Sequence, residues 1–319
     1  MLARLFPDSF VPVLLATILL ASLLPVRGSA VAVAQGVSTA AIVFLFFLNG
    51  VRLPGDEVLH GIRNWKLQGG ALTFCFGIMA LFGLAAQLVT APFLPATLAL
   101  GFLFLGILPS TVQSATAASS MAGGNVAASV VAAALLNLSG VILSPLLFAA
   151  MAGAEGEIHG EAVLRIVAIL LLPFIAGQLV QRWLRPWVLA NRGLATAMDR
   201  TAIAIAVYVA FSAAVVAGIW SLLDAREVGI VFAVVAALLA LSFGGAWGFG
   251  ALLKLARPDR ITLLFSGAQK SIAVGAPLAA TLFPPATAGV VLVPILVYHI
   301  AQLILSAWIA PGLARHNEV

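Results

Sequence analysis

Long apolar runs make up most of the chain, and short polar segments separate them. Ten of these runs are long enough to cross a hydrocarbon layer of about 30 Å as helices. Their approximate bounds are residues 9–26, 30–51, 67–90, 95–121, 125–152, 163–181, 199–220, 227–253, 260–283 and 286–311. The pattern therefore predicts an all-α membrane protein with ten transmembrane helices.

The ninth run has a polar middle that does not suit a lipid-facing helix. The run SGAQKS (residues 266–271) lies between apolar residues, with Gly275 and Pro277 shortly after it. A lysine at the centre of a span costs roughly 2.5–3.5 kcal/mol on insertion scales. Irregular backbone at this depth is tolerated only where it is buried in protein or lines a cavity. We expect a broken helix over residues 260–283, with Lys270 at the break.

The fourth run has a similar middle, LPSTVQSAT (residues 108–116), and predicts a second broken helix over residues 95–121. The two interrupted runs lie five spans apart, so the second half of the chain would be inverted in the membrane. Residues 1–152 and 153–319 are then two inverted five-helix repeats. Interrupted segments at matching positions of such repeats indicate a transporter site near the bilayer midplane.

Composition supports a membrane protein: 63% of the residues are hydrophobic and 8% are charged, against about 25% charged in soluble domains. The net charge of +5 comes from basic residues between the apolar runs, which act as topology signals and do not indicate nucleic-acid binding. Twelve of the sixteen lysines and arginines fall on one side of the predicted topology and three on the other. This asymmetry predicts a multi-pass protein of the cytoplasmic (inner) membrane with both termini in the cytoplasm.

All eleven acidic residues fall in loops or at the ends of the runs, so Lys270 has no acidic partner within the hydrocarbon. Its partners are then expected to be carbonyls, hydroxyls, water or a bound anion. The sequence contains no HExxH or GxSxG motif and no metal-binding cluster, and it has a single cysteine. We therefore predict that the protein is not an enzyme.

Several short motifs resemble the bile acid:sodium symporter family, and in particular its SBF-like branch, which is similar to the member-7 solute carriers. They are GGNVAASV (123–130), LSPLL (143–147), GAQKS (267–271), the pattern Ala273-x-Gly275-x-Pro277 and the tenth-span histidine, His299. The resemblance covers essentially the whole chain. It implies a panel of spans 1, 2, 6 and 7 and a core of spans 3–5 and 8–10, in which the broken helices cross. It also implies transport of a small organic anion by alternating access.

The resemblance further implies a sodium ion as a possible cofactor. At the positions that hold sodium in sodium-dependent members, Thr116 and Ser129 keep oxygen atoms, whereas Ala115 and Ala133 do not. The position of a shared glutamate, four residues before the glutamine of the ninth span, is Phe265. Two alternatives to sodium coupling therefore stay open. The Lys270 ammonium can stand in place of sodium as a tethered cation, which leaves transport uncoupled, or transport can be coupled to protons.

The candidate substrate-binding residues are the polar groups at or beside the two breaks. They are Lys270, Gln269, Gln113, His299 and Asn137. The alternative for each is structural: a snorkelling lysine, a packed core histidine, or amides that satisfy the backbone of the broken helices. A regulatory membrane protein that affects ion homeostasis is the alternative to a transporter. The sequence names no particular substrate and no oligomeric state.

Overall fold

The structure is a computed structural model that describes residues 10–52, 64–152, 167–218 and 224–315. These residues form helices and short connections, and the described part contains no β-strand. In chain order the helices are α1 (Phe10–Leu23), α2 (Ala30–Arg52), α3 (Trp65–Thr90), α4 (Ala96–Ile107), α5 (Gln113–Met121), α6 (Val126–Met151), α7 (Val167–Leu171 and Leu172–Leu179), α8 (Gln181–Ala190), α9 (Arg192–Val216), α10 (Ala225–Leu252), α11 (Arg257–Ala268), α12 (Ile272–Leu282) and α13 (Pro285–Arg315).

Six helices in the described ranges are long and apolar enough to cross a membrane alone. They are α2, α3, α6, α9, α10 and α13. Helices α1, α4 and α7 are apolar but shorter. The protein is therefore a multi-pass helical membrane protein.

Helix α9, which corresponds to the seventh predicted span, begins earlier than the hydrophobic pattern predicted. It starts at Arg192 rather than Asp199, so Asp199 and Arg200 lie inside α9. A hydropathy run marks only the apolar part of a helix, and the polar first turns of α9 fall outside that part. The pattern also missed α8, which is amphipathic and exposes Trp183 and Trp187. Such a helix has too little apolar length to be recognised as a span.

We call α1, α2, α7 and α9 the panel helices and α3–α6 and α10–α13 the core helices. Within the panel, α9 packs against α1 and α2, and α2 packs against α7. Within the core, α4 packs against α3 and α13, while α11 packs against α10 and α5. The two sets of helices are in extensive contact where α9 packs against α13, and α9 also contacts α12.

Two core segments lose helical geometry in the middle and cross there. The chain is extended at Leu108, between α4 and α5, and at Gln269, between α11 and α12. Pro109 has no backbone N–H to continue α4, and the Ser271 side chain caps α12 by accepting from the Val274 N–H at 3.3 Å. The breaks are joined directly, because the Ser271 N–H donates to the Pro109 carbonyl at 2.9 Å.

A close contact between glycines holds the end of α4 against α3. A Cβ atom added at Gly106 would lie 2.6 Å from the Met79 carbonyl oxygen, and one at Gly83 would lie 2.6 Å from the Phe102 carbonyl oxygen. Both obstacles are backbone atoms, so they cannot rotate away as a side chain can. Glycine at these positions therefore fixes where the last carbonyls of α4 lie.

We expect Gly106→Ala to lower the free energy of unfolding by about 1–3 kcal/mol, because the two helices must separate to admit the methyl group. Thermal unfolding of the purified protein measures this effect. Gly248→Ala in α10 is the matched control, since a Cβ there meets nothing within 4 Å. Equal unfolding midpoints for the two variants would contradict the prediction.

Candidate functional site

The side chain of Lys270 is fully buried at the crossing of the broken helices. Its Nζ atom donates to the carbonyl oxygens of Cys75 at 2.9 Å, Gly106 at 2.8 Å and Leu108 at 2.7 Å. A lysine ammonium has three N–H donors and no acceptor. The three carbonyl oxygens therefore match its hydrogen-bonding capacity.

Two of these carbonyls lie where the local helix does not use them. Gly106 and Leu108 lie at the C-terminal end of α4, where the last carbonyls of a helix have no partner within it. Cys75 lies in a π-helical turn of α3, Thr73–Ile78, which departs from the regular α-helical hydrogen-bond ladder. A helix C-terminus also carries partial negative charge and favours a cation. The crossing thus forms a cation site, and the lysine side chain fills it.

Gln269 connects the two breaks to α13. Its Oε1 atom accepts from the hydroxyls of Thr111 at 2.6 Å and Ser114 at 2.8 Å, and its Nε2 atom donates to Ser306 Oγ at 2.9 Å. The Gln269 side chain is fully buried. Because the amide has hydrogen-bond partners in the α4–α5 break, in α5 and in α13, it fixes the relative positions of these three segments.

Gln302 on α13 holds the backbone of Lys270 from both sides. Its Oε1 atom accepts from the Lys270 N–H at 2.7 Å, and its Nε2 atom donates to the Lys270 carbonyl at 2.8 Å. This pairing fixes the orientation of the amide. The same Nε2 atom lies 2.9 Å from His299 Nδ1, and an amide nitrogen has only donors. His299 Nδ1 also lies 3.3 Å from the Lys270 carbonyl oxygen, so the side chains of Gln302 and His299 both approach the Lys270 backbone.

Other polar side chains satisfy the remaining carbonyls of the breaks. Tyr298 donates to the Ala268 carbonyl at 2.7 Å, and Ser144 donates to the Ile107 carbonyl at 2.7 Å. Asn137 donates to the carbonyl of Ser110 at 3.1 Å. Buried backbone groups without partners are costly, so these bonds stabilise a non-helical crossing at membrane depth.

A cavity of about 380 Å³ lies between the panel and core helices, beside the crossing. Its volume is within the range typical of small-molecule sites, about 300–1,000 Å³. The core wall is formed by the α4–α5 break, α6, the first turn of α12 and His299. The panel wall is formed by residues of α1, α2, α7 and α9, including Asn49, Arg52, Asp199 and Arg200.

Three of the five predicted substrate-binding residues line this cavity: Gln113, Asn137 and His299. The side chains of Lys270 and Gln269 lie behind the wall, in the crossing itself, and are not among the lining residues. A ligand in the cavity would meet the start of α12 and not the Lys270 ammonium. Lys270 and Gln269 therefore contact the crossing and not the cavity, and their role in substrate binding stays a prediction.

At the predicted sodium positions, only two side chains supply oxygen atoms. Ser129 and Thr116 supply two hydroxyl oxygens, and Ser129 Oγ donates to Thr116 Oγ1 at 3.2 Å. The neighbouring Ala115 and Ala133 are buried and contribute no oxygen. Phe265 is fully buried and packs edge-on against Phe243, with ring centroids 6.3 Å apart. An aromatic ring thus occupies the place where a carboxylate would be needed.

Sequence reasoning missed Gln302, Thr111 and Ser114. Gln302 had a detectable signal, because it is a polar residue inside a long apolar run, three positions after His299 and so on the same helix face. Thr111 and Ser114 were part of the polar break but were not singled out. Their partner, Gln269, lies more than 150 residues away in the sequence, and no local pattern indicates such a pairing.

Interrupted helices that meet beside a cavity within the apolar part of a helical membrane protein are typical of secondary transporters. Comparisons with known proteins agree with this class. A sequence profile of the SBF-like CPA transporter family matches residues 8–315. The chain belongs to this family of membrane transporters.

Individual relatives are similar over almost the whole chain. An uncharacterized protein of Pseudomonas aeruginosa is 37% identical over 99% of this chain and 95% of its own length. YfeH of Escherichia coli is 37% identical over 98% of this chain and 94% of its own length. Sodium/bile acid cotransporter 7 of Mus musculus is more distant, with 22% identity over 87% of this chain and 83% of its own length.

Proposed function

We propose that the protein carries a small organic anion across the cytoplasmic membrane by alternating access, with the ligand bound in the cavity between the panel and core helices. The observation that carries this proposal is the position of the cavity: residues of the panel helices line one wall and residues of the core helices line the other. Movement of one group against the other would open the cavity to either side. Ten spans in two inverted repeats, residues 1–152 and 153–319, and cytoplasmic termini are part of the proposal.

The core wall suits a negatively charged ligand. Helices α5 and α12 begin at Gln113 and Ile272, and both residues line the cavity. The N-terminus of a helix presents unpaired N–H groups and partial positive charge, so it favours anions. His299 lines the same wall. These groups can bind an anion without a lysine or arginine side chain facing it from the core wall.

We further propose that transport does not require sodium. The three carbonyls around Lys270 Nζ are the kind of ligand that binds an alkali cation in place of its hydration shell, and here a covalently tethered ammonium takes that position. The neighbouring hydroxyl pair and Phe265 add no anionic ligand. The Lys270 ammonium therefore acts as a fixed cation that stabilises the crossing, and it does not have to bind and dissociate in each cycle.

A cavity-filling substitution tests the transport proposal. Ala134 lines the cavity on α6, so Ala134→Trp is expected to abolish uptake by removing the volume that the ligand needs. Small organic anions are first screened for thermal stabilisation of the purified wild type, in sodium chloride and in choline chloride. The anions that stabilise it are then assayed for counterflow in proteoliposomes with the same two salts.

Ala233→Trp is the matched control, because Ala233 is exposed on the outer face of α10. We expect this variant to retain at least half of the wild-type counterflow, in either salt. Counterflow that survives Ala134→Trp would contradict the placement of the ligand. Counterflow that disappears in choline would contradict independence from sodium.

A further inference from the structure

The charged residues that line the cavity all lie on its panel wall. They are Arg52 at the end of α2 and Asp199 and Arg200 on α9. The polar residues on the core wall include Gln113, Asn137 and His299, and the described residues of this wall include no lysine, arginine or carboxylate. Two guanidinium groups against one carboxylate leave the panel wall with an excess of positive charge.

Arg52 and Asp199 form an ion pair that leaves part of each group unused. Arg52 Nη1 donates to Asp199 Oδ2. Within the described part of the chain, Arg52 Nη2 and Asp199 Oδ1 are buried without a hydrogen-bond partner. Arginine and carboxylate pairs are frequently bidentate, and this pair is not. The guanidinium therefore retains donors for a second acceptor.

Apolar side chains surround the ion pair within the same cavity. Phe10, Phe46, Phe174 and Ile203 line the panel wall together with the charged residues. The Arg200 guanidinium lies over the Phe10 ring, with its central carbon 5.7 Å from the ring centroid. An oxyanion with an apolar body would thus find both kinds of partner on the panel.

We propose that Arg52 and Arg200 bind the charged group of the transported anion, and that Asp199 is the counter-charge that Arg52 holds when the cavity is empty. This inference rests on the proposed function and locates charge recognition on the panel, where sequence reasoning placed no site residue. An entering oxyanion supplies the acceptor that Arg52 Nη2 lacks and competes with Asp199 for the guanidinium. With the anion held by the panel arginines and by the helix N-termini of the core, both moving parts contact the same ligand.

The alternative is that Arg52 and Asp199 only fasten α2 to α9. The two readings differ in what Asp199→Asn does. If the pair is only a fastening, loss of the carboxylate weakens the panel and harms the cavity as much as loss of Arg52. If Asp199 competes with the ligand, its neutralisation makes the wall more attractive to anions.

The local charge can be measured without knowing the substrate. Thr196 lines the cavity one helical turn before Arg200, and the native Cys75 is buried. In Thr196→Cys, we would compare the reaction rates of an anionic reagent, sulfonatoethyl methanethiosulfonate, and a cationic one, trimethylammonioethyl methanethiosulfonate. Gly229→Cys on the exposed part of α10 is the control for the intrinsic reactivity of the two reagents.

We expect the ratio of anionic to cationic rates to be higher at Thr196→Cys than at Gly229→Cys. Adding Arg200→Gln or Arg52→Gln should lower the ratio at Thr196→Cys by about fivefold, the change expected for one unit charge within about 8 Å in a wet cavity. Adding Asp199→Asn should raise it. A ratio unchanged by both arginine substitutions, or lowered by Asp199→Asn, would overturn the inference.

A binding assay separates this inference from the proposed function. Naphthalene-2-sulfonate and the neutral naphthalene-2-sulfonamide serve as probes in thermal-shift titrations. Arg200→Gln should weaken sulfonate binding at least tenfold and leave sulfonamide binding unchanged. Equal sulfonate affinity in wild type and Arg200→Gln would overturn the inference alone. Uptake that survives Ala134→Trp would instead overturn the proposed function, whatever the rate ratios show.

Discussion

Lys270→Ala is expected to produce the largest loss of stability among single substitutions at the crossing. It removes the ammonium group that donates to the carbonyl oxygens of Cys75, Gly106 and Leu108. These buried oxygens then lack that hydrogen-bond partner. Each buried acceptor left without a partner costs about 1–3 kcal/mol. We therefore expect the free energy of unfolding to fall by about 3 kcal/mol or more, and uptake to be lost.

Sodium should partly rescue this variant while leaving the wild type unchanged. Without the ammonium, three carbonyl oxygens converge on a vacant position of the kind that coordinates an alkali cation. Ligand binding to the folded state alone raises apparent stability by mass action. We expect the unfolding midpoint of Lys270→Ala to be higher in sodium chloride than in choline chloride at equal ionic strength, and that of the wild type to be the same in both.

Lys66→Ala is the matched control, because Lys66 is exposed and its ammonium lies 6.0 Å from the ring centroid of Trp65, a contact of small energy. Its midpoint should be close to that of the wild type in both salts. A wild type that sodium stabilises would contradict the tethered-cation proposal. So would a Lys270→Ala variant as stable as Lys66→Ala.

The position of the crossing could be predicted from sequence because a few residue types are energetically costly in a lipid-facing helix. Pro109 cannot donate a hydrogen bond, and Lys270 is costly in hydrocarbon, so each marks a place where a regular helix ends. The same rules do not indicate which groups satisfy the freed backbone. The π-helical turn at Cys75 and the amide of Gln302 contribute through contacts that arise only when distant helices pack.

The role of Lys270 depends on helix packing that its sequence neighbourhood does not reveal. The sequence establishes that a buried lysine needs partners, and a bound anion and backbone carbonyls both meet that need. The choice depends on where Nζ points, and that follows from the glycine contact that sets the end of α4 against α3. Similarly, Arg52 and Asp199 were read as topology and loop charges, because their shared cavity depends on the packing of α2 against α9.

Gln302→Leu is expected to have the second large effect and to abolish uptake. The leucine has a similar size but cannot replace the two hydrogen bonds to the backbone of Lys270. It leaves the buried N–H of Lys270 without its acceptor and the Lys270 carbonyl without its amide donor, which should lower the free energy of unfolding by about 2–4 kcal/mol. It also removes the contact between the Gln302 amide and His299 Nδ1.

Gln87→Leu separates this effect from the loss of a glutamine as such. Gln87 is partly buried on α3, and its side-chain oxygen has no hydrogen-bond partner within the described ranges. We expect thermal unfolding of Gln87→Leu to match or exceed that of the wild type, with uptake retained. If Gln302→Leu and Gln87→Leu unfold at the same temperature and both transport, the crossing does not depend on Gln302. If only Gln302→Leu fails, Gln302 holds the break in the shape that transport requires.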